Sequence, residues 1–154
     1  MGGHEGQAKD ATEAAIAAGK DVVTANKAML AVHGQSLALA AEAAGQVIRF
    51  EAAVVGGIPV VKALTEGLAG NKINRVLGVM NGSCNYILTR MENAGLSYAE
   101  VFAEANALGY LEADPNLDVG GIDAAHKLAL LAAIAFGTEV DFDSVVLEGI
   151  GAVT

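Results

Sequence analysis

The sequence predicts a fold of the α+β or α/β class from its length, its composition and the alternation of its segments. The chain has 154 residues, enough for one domain or for one domain and part of another. Hydrophobic residues make up 53% of it but aromatic residues only 5%, so the core must be built mainly from Ala, Val, Leu and Ile. Helical and extended patterns alternate from one end to the other, which is typical of helices packed on strands.

The charge balance and the cysteine content narrow the class of protein. The formal net charge is −9, so no basic stripe exists to neutralise phosphates and we expect no nucleic-acid partner. The single cysteine, Cys84, can form no intrachain disulfide, which fits a reducing compartment. No apolar stretch approaches the roughly 20 residues of a membrane span, so we expect a cytoplasmic protein with no membrane partner.

Two helices and two strands are predicted in the first third of the chain. Asp10 and Glu13 have capping-box spacing, and Gly19 is a typical helix end. The short, β-branched run at 21–25 is typical of a buried parallel strand. The predicted elements are a helix from Asp10 to Gly19, a strand at 21–25, a helix that ends at Gly45 and a strand at 47–52.

The remaining elements are predicted mainly from caps and breakers. Pro59 follows a glycine pair and suits the first turn of a helix. Ser97 and Glu100 form a second capping box, and Asn81 and Ser83 are each able to cap the helix before it. The predicted order is a helix from Pro59 to Gly67 or Gly70, a strand at 73–79, a helix from Asn81 or Ser83 to Gly95, a helix from Ser97 to Gly109, a polar loop at 112–118, a helix at 122–136 that ends at Gly137, and a strand at 144–150.

The start of the long helix at 122–136 carries the most informative charged residues. Asp123 and Lys127 are four residues apart on one helix face, and the helix beyond them is apolar nearly all round. Burial disfavours an ammonium whereas a nearby carboxylate favours it, so a lysine in such a place is able to exchange a proton near neutral pH. The acids of the preceding loop would suit a substrate with an amino group. The alternative is a helix-stabilising ion pair beside a solvated acidic loop.

Five blocks of the sequence resemble the homoserine dehydrogenase family, in the family's order and at its spacing. They cover nearly the whole chain, and together they are far more specific than any one of them. The blocks are residues 2–6, 22–27, 50–59, 81–88 and 108–115, the last followed by Asp118, Gly121, Asp123 and Lys127.

The resemblance implies an NADP- or NAD-dependent enzyme that interconverts L-aspartate 4-semialdehyde and L-homoserine, in the biosynthesis of threonine, methionine and isoleucine. It implies that Lys127 is the acid/base at the substrate oxygen and that Asp123 orients this lysine. It further implies that Glu112 binds the substrate amino group and that Asp118 supports the same pocket. Ser83 stands where the family often has a threonine that lines the substrate site, although it could equally be a helix cap.

Two further sites are implied by the resemblance. Lys27, with Asn26 before it, matches the family's lysine near the cofactor and the substrate carboxylate. The glycine-rich segment that follows the strand at 47–52 matches the family's monovalent cation site, usually described with sodium; taken without the family, these residues predict only a tight turn. The backbone carbonyls expected to face the cation are those of Glu51, Val54, Gly56 and Ile58.

The resemblance also predicts how the chain is divided. Residues 1–50 would be the C-terminal remnant of a Rossmann-type dinucleotide-binding domain, and residues 51–154 a mixed-sheet catalytic and dimerisation domain with helices on one face. The family's glycine-rich pyrophosphate turn has no counterpart here, so we expect a piece of a larger enzyme that turns over substrate poorly by itself. We expect a homodimer or higher homo-oligomer. The alternatives are a non-catalytic dimerisation module and a related amino-acid dehydrogenase.

Overall fold

A computed structural model describes residues 3–111 and 114–154, and it is rich in helices. A single turn of π-helix, Ala63–Gly67, continues α4. The other elements, in chain order, are α1 (Gln7–Ala17), β1 (Val22–Val23), α2 (Lys27–Ala43), β2 (Ile48–Arg49), α3 (Glu51–Val54), α4 (Val60–Lys62), α5 (Gly82–Ala94), α6 (Tyr98–Ala107), α7 (Pro115–Val119) and α8 (Ile122–Phe136).

The strands β1 and β2 form a parallel pair joined by α2. Val22 lies opposite Ile48, and the N–H of Val22 donates to the carbonyl of Val47 at 2.9 Å. Parallel strands need a crossover connection, and the 17 residues of α2 provide it. The predicted α/β character is therefore confirmed by a βαβ unit in the first part of the chain.

The chain divides into two compact units. The first contains the residues up to Val76 together with His126–Val145, so most of α8 belongs to it. Its interior is made of aliphatic side chains and alanines, as the composition predicts. Residues of this unit that are buried include Ile16, Met29, Leu30, Leu37, Val54, Ala129, Leu130 and Leu131.

The second unit contains Leu77–Ala125 and Val146–Thr154, of which residues 112 and 113 lie outside the described ranges. Helices α5 and α6 form its centre and bury a cluster of Ile87, Met91, Val101 and Ala105. Gly95 ends α5 in the left-handed conformation, with φ at 64°, which a residue with a Cβ adopts only at a cost. The chain then enters α6 through the predicted capping box of Ser97 and Glu100, which is confirmed.

Two predicted strands are wrong. Segments 73–79 and 144–150 form no strand in the described part of the chain, where β1 and β2 are the only pair. An extended run becomes a strand only when a neighbour accepts and donates its backbone hydrogen bonds. Instead, the apolar side chains of Leu77, Val79 and Val146 are 83%, 77% and 95% exposed. The expected mixed sheet is therefore reduced to the parallel pair of the first unit.

Other predicted boundaries shift because local signals compete. Helix α1 begins after Gly6, so Asp10 lies within its first turn and does not cap it. The strand expected at 47–52 ends at Arg49, because Glu51 already begins α3. Part of the expected loop at 112–118 is the short helix α7, with Pro115 as its first residue and the side chain of Asp114 as its cap. Helix α8 has the predicted bounds.

None of the helices in residues 3–111 and 114–154 combines the length and the apolar character that crossing a bilayer requires.

Candidate active site

The site in the second unit is organised by Asn81, the residue that caps the start of α5. Its side-chain oxygen accepts a hydrogen bond from the backbone N–H of Cys84 at 2.8 Å, which makes it the helix cap. Because the oxygen must face that N–H, the orientation of the amide is determined, and its NH2 group points the other way.

The NH2 group of Asn81 joins two aspartates. It donates to Oδ1 of Asp118 at 2.8 Å and to Oδ2 of Asp123 at 3.1 Å. Asn81, Asp118 and Asp123 are 8%, 3% and 7% exposed, so all three are buried. A single amide therefore holds the carboxylates of α7 and α8 side by side in the interior of the second unit.

The turn between α7 and α8 makes this arrangement possible. Gly121 has a φ of 87°, a conformation that favours glycine, and it lets the chain pass from one helix directly into the next. Asp118 and Asp123, only five residues apart, consequently reach the same amide although they stand on different helices. Asp123 also lies in the first turn of α8, where the partial positive charge of the helix N-terminus favours an anion.

The electrostatic character of the cluster appears in the neighbouring thiol. Cys84 donates through its Sγ to the backbone carbonyl of Asp118 at 3.3 Å. Burial raises the pKa of the Cys84 thiol, and the nearby charges of Asp118 and Asp123 raise that pKa further. A site that disfavours one more negative charge favours a positive one, so the chemistry of the cluster suits an ammonium group.

Ser83 contacts the segment that precedes Glu112. Its hydroxyl donates to the backbone carbonyl of Tyr110 at 2.6 Å, so it does not serve as the cap of α5. The ring of Tyr86, one helical turn further on, packs edge-on against Tyr110 with the ring centroids 4.9 Å apart. Glu112 itself lies outside the described residues.

Lys127 lies on α8, four residues after Asp123, and it is half-buried. Its neighbour His126, for which the sequence predicts no role, stacks on Phe142 with the ring centroids 4.7 Å apart. Adjacent helical residues point to different sides of a helix. A structural contact for His126 is therefore compatible with a different role for Lys127.

Asn26 and Lys27 stand at the carboxyl end of β1. Asn26 caps α2, because its side-chain oxygen accepts the N–H of Met29 at 3.0 Å. Its amide NH2 donates to the carbonyl of Gly3 at 2.8 Å, which ties the first described residues to this helix start. Lys27 is half-buried and is the first residue of α2. This end of a parallel strand is where α/β folds bind their ligands.

The loop predicted to bind a cation is built around Glu51. The carboxylate of Glu51 accepts the N–H of Val61 at 2.8 Å and that of Lys62 at 3.0 Å, so this side chain caps the start of α4. The carbonyl of Glu51 accepts the N–H of Val55, and the carbonyl of Ile58 accepts the N–H of Val60. Two of the four carbonyls expected at the cation therefore also make backbone hydrogen bonds.

Side-chain clusters of the kind that hold a metal ion are absent from the described ranges. In residues 3–111 and 114–154, no group of three or more His, Cys, Asp or Glu side chains is arranged to bind one. The expected monovalent site uses carbonyl oxygens, which such clusters do not include.

Sequence reasoning missed the central role of Asn81. It identified this residue only as one of two alternative caps, because its position before an apolar helix explains it fully at the local level. The signal that could have revealed this role is the side-chain NH2 group, which donates hydrogen bonds while the side-chain oxygen caps the helix. An amide that is used as a cap and is also buried has two N–H groups that need acceptors.

Two family models match the chain. A model described as homoserine dehydrogenase matches residues 59–154, and one described as homoserine dehydrogenase, NAD binding domain matches residues 2–51.

Known proteins agree with these matches. A homoserine dehydrogenase of Pseudomonas aeruginosa is 55% identical over 140 residues, which are 91% of this chain and 32% of the relative. A crystal structure of a homoserine dehydrogenase from Thiobacillus denitrificans superposes with a TM-score of 0.97 at 49% identity, over all of this chain and 36% of that one. A hyperthermophilic archaeal homoserine dehydrogenase in complex with NADPH has a TM-score of 0.86 at 33% identity, over 96% of this chain and 45% of that one. The chain thus spans about a third of the length of the curated relatives it matches.

Proposed function

Because the chain belongs to the homoserine dehydrogenase family, we propose that it carries the substrate-binding and acid–base residues of an NAD(P)-dependent homoserine dehydrogenase. The reaction is the interconversion of L-homoserine and L-aspartate 4-semialdehyde. The second family match, to the NAD binding domain, covers residues 2–51, which supports a division of the chain near residue 50 into a cofactor part and a catalytic part.

The observation that carries this proposal is the buried Asn81–Asp118–Asp123 cluster. Two carboxylates with so little exposure are costly unless they are paired with donors or cations. Asn81 supplies one N–H to each of them. The ammonium group of an amino-acid substrate is the kind of charge that this acidic environment favours. Glu112, next to the described part of the site, is proposed as a further ligand of that ammonium group.

Lys127 is the proposed acid/base. In the oxidation of homoserine its neutral amine would take the proton of the substrate hydroxyl as the C–H hydride leaves, and in the reduction its ammonium would return that proton. Asp123, one helical turn before Lys127, would orient the amine and favour its charged form. Ser83 would line the substrate pocket through its contact with the Tyr110 segment.

The residues of the first unit fit a nicotinamide dinucleotide. The cofactor supplies hydride transfer when it is bound. The parallel β1–α2–β2 arrangement places Asn26 and Lys27 at the strand end where α/β folds bind dinucleotides. The solved archaeal relative is in complex with NADPH. Lys27 would contact the cofactor and the substrate carboxylate, with Asn26 holding the start of its helix.

A monovalent cation such as sodium is proposed for the loop after Glu51. Hard cations take oxygen ligands, and a carbonyl that accepts one hydrogen bond keeps a second lone pair. The loop contains Gly57 with φ at 80°, which permits the sharp turn that would direct the carbonyls of Glu51, Val54, Gly56 and Ile58 to one point.

The family supports three proposals about the setting of the enzyme. It would act in the cytoplasm, in the pathway to threonine, methionine and isoleucine. It would assemble as a homodimer or higher homo-oligomer.

Turnover by a chimaeric enzyme tests the proposed function. In it, the 140 matched residues of this chain replace the corresponding region of the Pseudomonas aeruginosa relative. We expect oxidation of L-homoserine with NADP or NAD, and we expect Lys127→Met to lower kcat by about 10²–10⁴-fold. The matched control is Lys62→Met, since the side chain of Lys62 is exposed and forms an ion pair with Glu66, four residues further along the chain.

A folded chimaera that does not oxidise homoserine would contradict the proposal, as would a Lys127→Met variant with the kcat of the parent. If the 154-residue chain alone forms dimers and binds neither NADPH nor homoserine in calorimetry, the dimerisation module becomes the better description of this chain.

A further inference from the structure

Residues 147–150 lie beside the turn between α7 and α8, within the second unit. The N–H of Ile150 donates to the carbonyl of Val119, the last residue of α7, at 2.9 Å. The side chains of Val119 and Ile150 both pack against the core cluster of this unit. The segment is therefore attached to the end of α7 by a hydrogen bond and by shared packing.

At Gly149 the segment approaches the turn so closely that no side chain fits. A Cβ atom at this position would lie 2.9 Å from the carbonyl oxygen of Val119 and 3.3 Å from Cα of Gly120. Both of these atoms belong to the backbone, so no rotation of a side chain makes room. With any other residue at position 149, the segment or the turn has to move.

The conformation of Gly149 does not by itself require a glycine. Its φ lies outside the left-handed region, so its backbone angles would admit an alanine. The same is true of Gly151, two residues further on. In the part of the chain that the structure describes, nothing but its own chain neighbours lies within 4 Å of the Cβ position of Gly151. The close approach to the turn therefore distinguishes Gly149 from Gly151.

The turn that Gly149 approaches carries both carboxylates of the candidate site. Asp118 is the penultimate residue of α7, and Asp123 is the second residue of α8. Between them, the N–H of Gly121 donates to the carbonyl of Asp118 at 3.0 Å. A displacement of the turn therefore alters the separation of the two aspartates and their alignment with the NH2 group of Asn81.

We propose that Gly149 is a positioning residue for the substrate site, because its lack of a side chain lets residues 147–150 brace the turn that carries Asp118 and Asp123. The inference rests on the proposed function, in which these two carboxylates favour the substrate ammonium group and Asp123 orients Lys127. Gly149 itself takes part in no chemical step.

Kinetics provide the first test, in a chimaera that carries all 154 residues of this chain in place of the matching region of the Thiobacillus denitrificans relative. We expect Gly149→Ala to lower kcat/KM for L-homoserine by about tenfold to hundredfold, because the aspartates are displaced from the substrate. The KM for the cofactor should stay within about twofold of the parent value, since the change lies in the second unit. Gly151→Ala is the matched control and should leave both constants within about twofold of the parent values.

The reactivity of Cys84 provides a second test that does not depend on activity. The thiol donates to the carbonyl of Asp118 at 3.3 Å, and burial together with Asp118 and Asp123 raises its pKa. Displacement of the turn should therefore make the thiol more reactive. In the 154-residue chain, well below the melting temperature of each variant, Gly149→Ala should label with iodoacetamide at least about threefold faster than the parent, and Gly151→Ala at the parent rate.

A third variant, Ile150→Ala, covers the case in which Gly149→Ala does not fold. It keeps Gly149 but removes the side chain that packs the segment on the core cluster, so kcat/KM and the labelling rate should change in the same directions by smaller factors.

A folded Gly149→Ala variant with the parent kcat/KM or the parent labelling rate would overturn the inference. If Gly149→Ala does not fold, parent values in Ile150→Ala would overturn it. Failure of the proposed function is distinct, because the parent chimaera would then be inactive while the labelling rate of Cys84 would still respond to Gly149→Ala.

Discussion

At the scale of single residues, Asn81 shows how one side chain serves a helix and a site together. Its oxygen caps α5 and its nitrogen holds two buried carboxylates. The two tasks use opposite ends of the amide, so neither competes with the other. Any substitution that keeps the cap but loses the donor separates them.

Asn81→Asp is such a substitution, since aspartate has nearly the same size and is an equally good cap. It removes both N–H donors and brings a third carboxyl group to the buried pair. We expect the free energy of unfolding, measured by urea denaturation of the 154-residue chain, to fall by about 2–3 kcal/mol. Asn71→Asp, an identical change at an exposed residue outside the helices, should cost less than about 0.5 kcal/mol. Equal losses in the two variants would show that the buried contacts contribute nothing.

Cys84 is expected to react slowly with alkylating reagents. The thiolate is the reactive form, and burial together with Asp118 and Asp123 raises the pKa of the thiol, so less thiolate is present at neutral pH. Labelling by iodoacetamide should be at least about tenfold slower in the native chain than in the same chain unfolded in urea. Native and unfolded chains that label at the same rate would refute this expectation.

At the scale of elements, the helices of the second unit are defined by their ends. Asn81 and the left-handed Gly95 cap the two ends of α5, and Ser97, two residues after Gly95, caps the start of α6. The short connection makes α5 and α6 antiparallel neighbours, which is why Tyr86 and Glu104 meet across them. The contact between Tyr86 and Glu104 therefore depends on helix-end signals that are local in sequence.

The capping box of α6 predicts a dependence of stability on pH. The hydroxyl and the N–H of Ser97 donate to Glu100, and they lower the pKa of that carboxyl from its ordinary value. A lowered folded-state pKa stabilises the fold at pH values above the ordinary one, and this contribution is lost as the pH falls through the lowered value. The difference in melting temperature between the parent and Ser97→Ala should therefore be larger at about pH 7 than at about pH 3.

The control for this experiment is Ser36→Ala, in the interior of α2. The hydroxyl of Ser36 donates to the carbonyl of His33 in the same helix. Alanine is the better helix former there, so the melting temperature should stay the same or rise. A Ser97→Ala variant that behaves like Ser36→Ala at both pH values would contradict the role of the capping box.

At the scale of the whole molecule, extended apolar segments remain at the surface of the second unit. Val79 and Val146 are 77% and 95% exposed, although their segments have the β-branched, apolar character of strands. Exposed apolar segments with unpaired backbone groups favour association with other chains.

Lysine substitutions test the surface position of these segments. Val79→Lys and Val146→Lys should leave the melting temperature of the chain within about 2 °C of the parent and should lower self-association in sedimentation experiments. Val101→Lys, in the buried cluster of the same unit, should prevent cooperative folding. A large loss of stability from Val146→Lys would show that this side chain is buried in solution.

The sequence predicts features that depend on neighbouring residues better than features that depend on residues far away along the chain. Helix α8 was predicted with its observed bounds, and the capping box at Ser97 was predicted with both partners. The predicted strands at 73–79 and 144–150 are wrong, because a strand depends on pairing with a distant segment and the sequence pattern of a strand does not identify that partner. The sequence leaves Ser83 as either a helix cap or a residue of the substrate site. Its hydroxyl donates to Tyr110, 27 residues away, so it is not the cap.

The sequence by itself determined the bounds of α8, the capping box of α6 and the family, since these depend on residues within a few positions and the five blocks are specific as strings. Only the tertiary structure decided that one amide joins Asp118 and Asp123, which lie 37 and 42 residues from Asn81 along the chain. Local energetics explain why an asparagine stands before α5. The reason why its NH2 group is buried against two carboxylates lies in how three separate helices pack, which no short stretch of sequence contains.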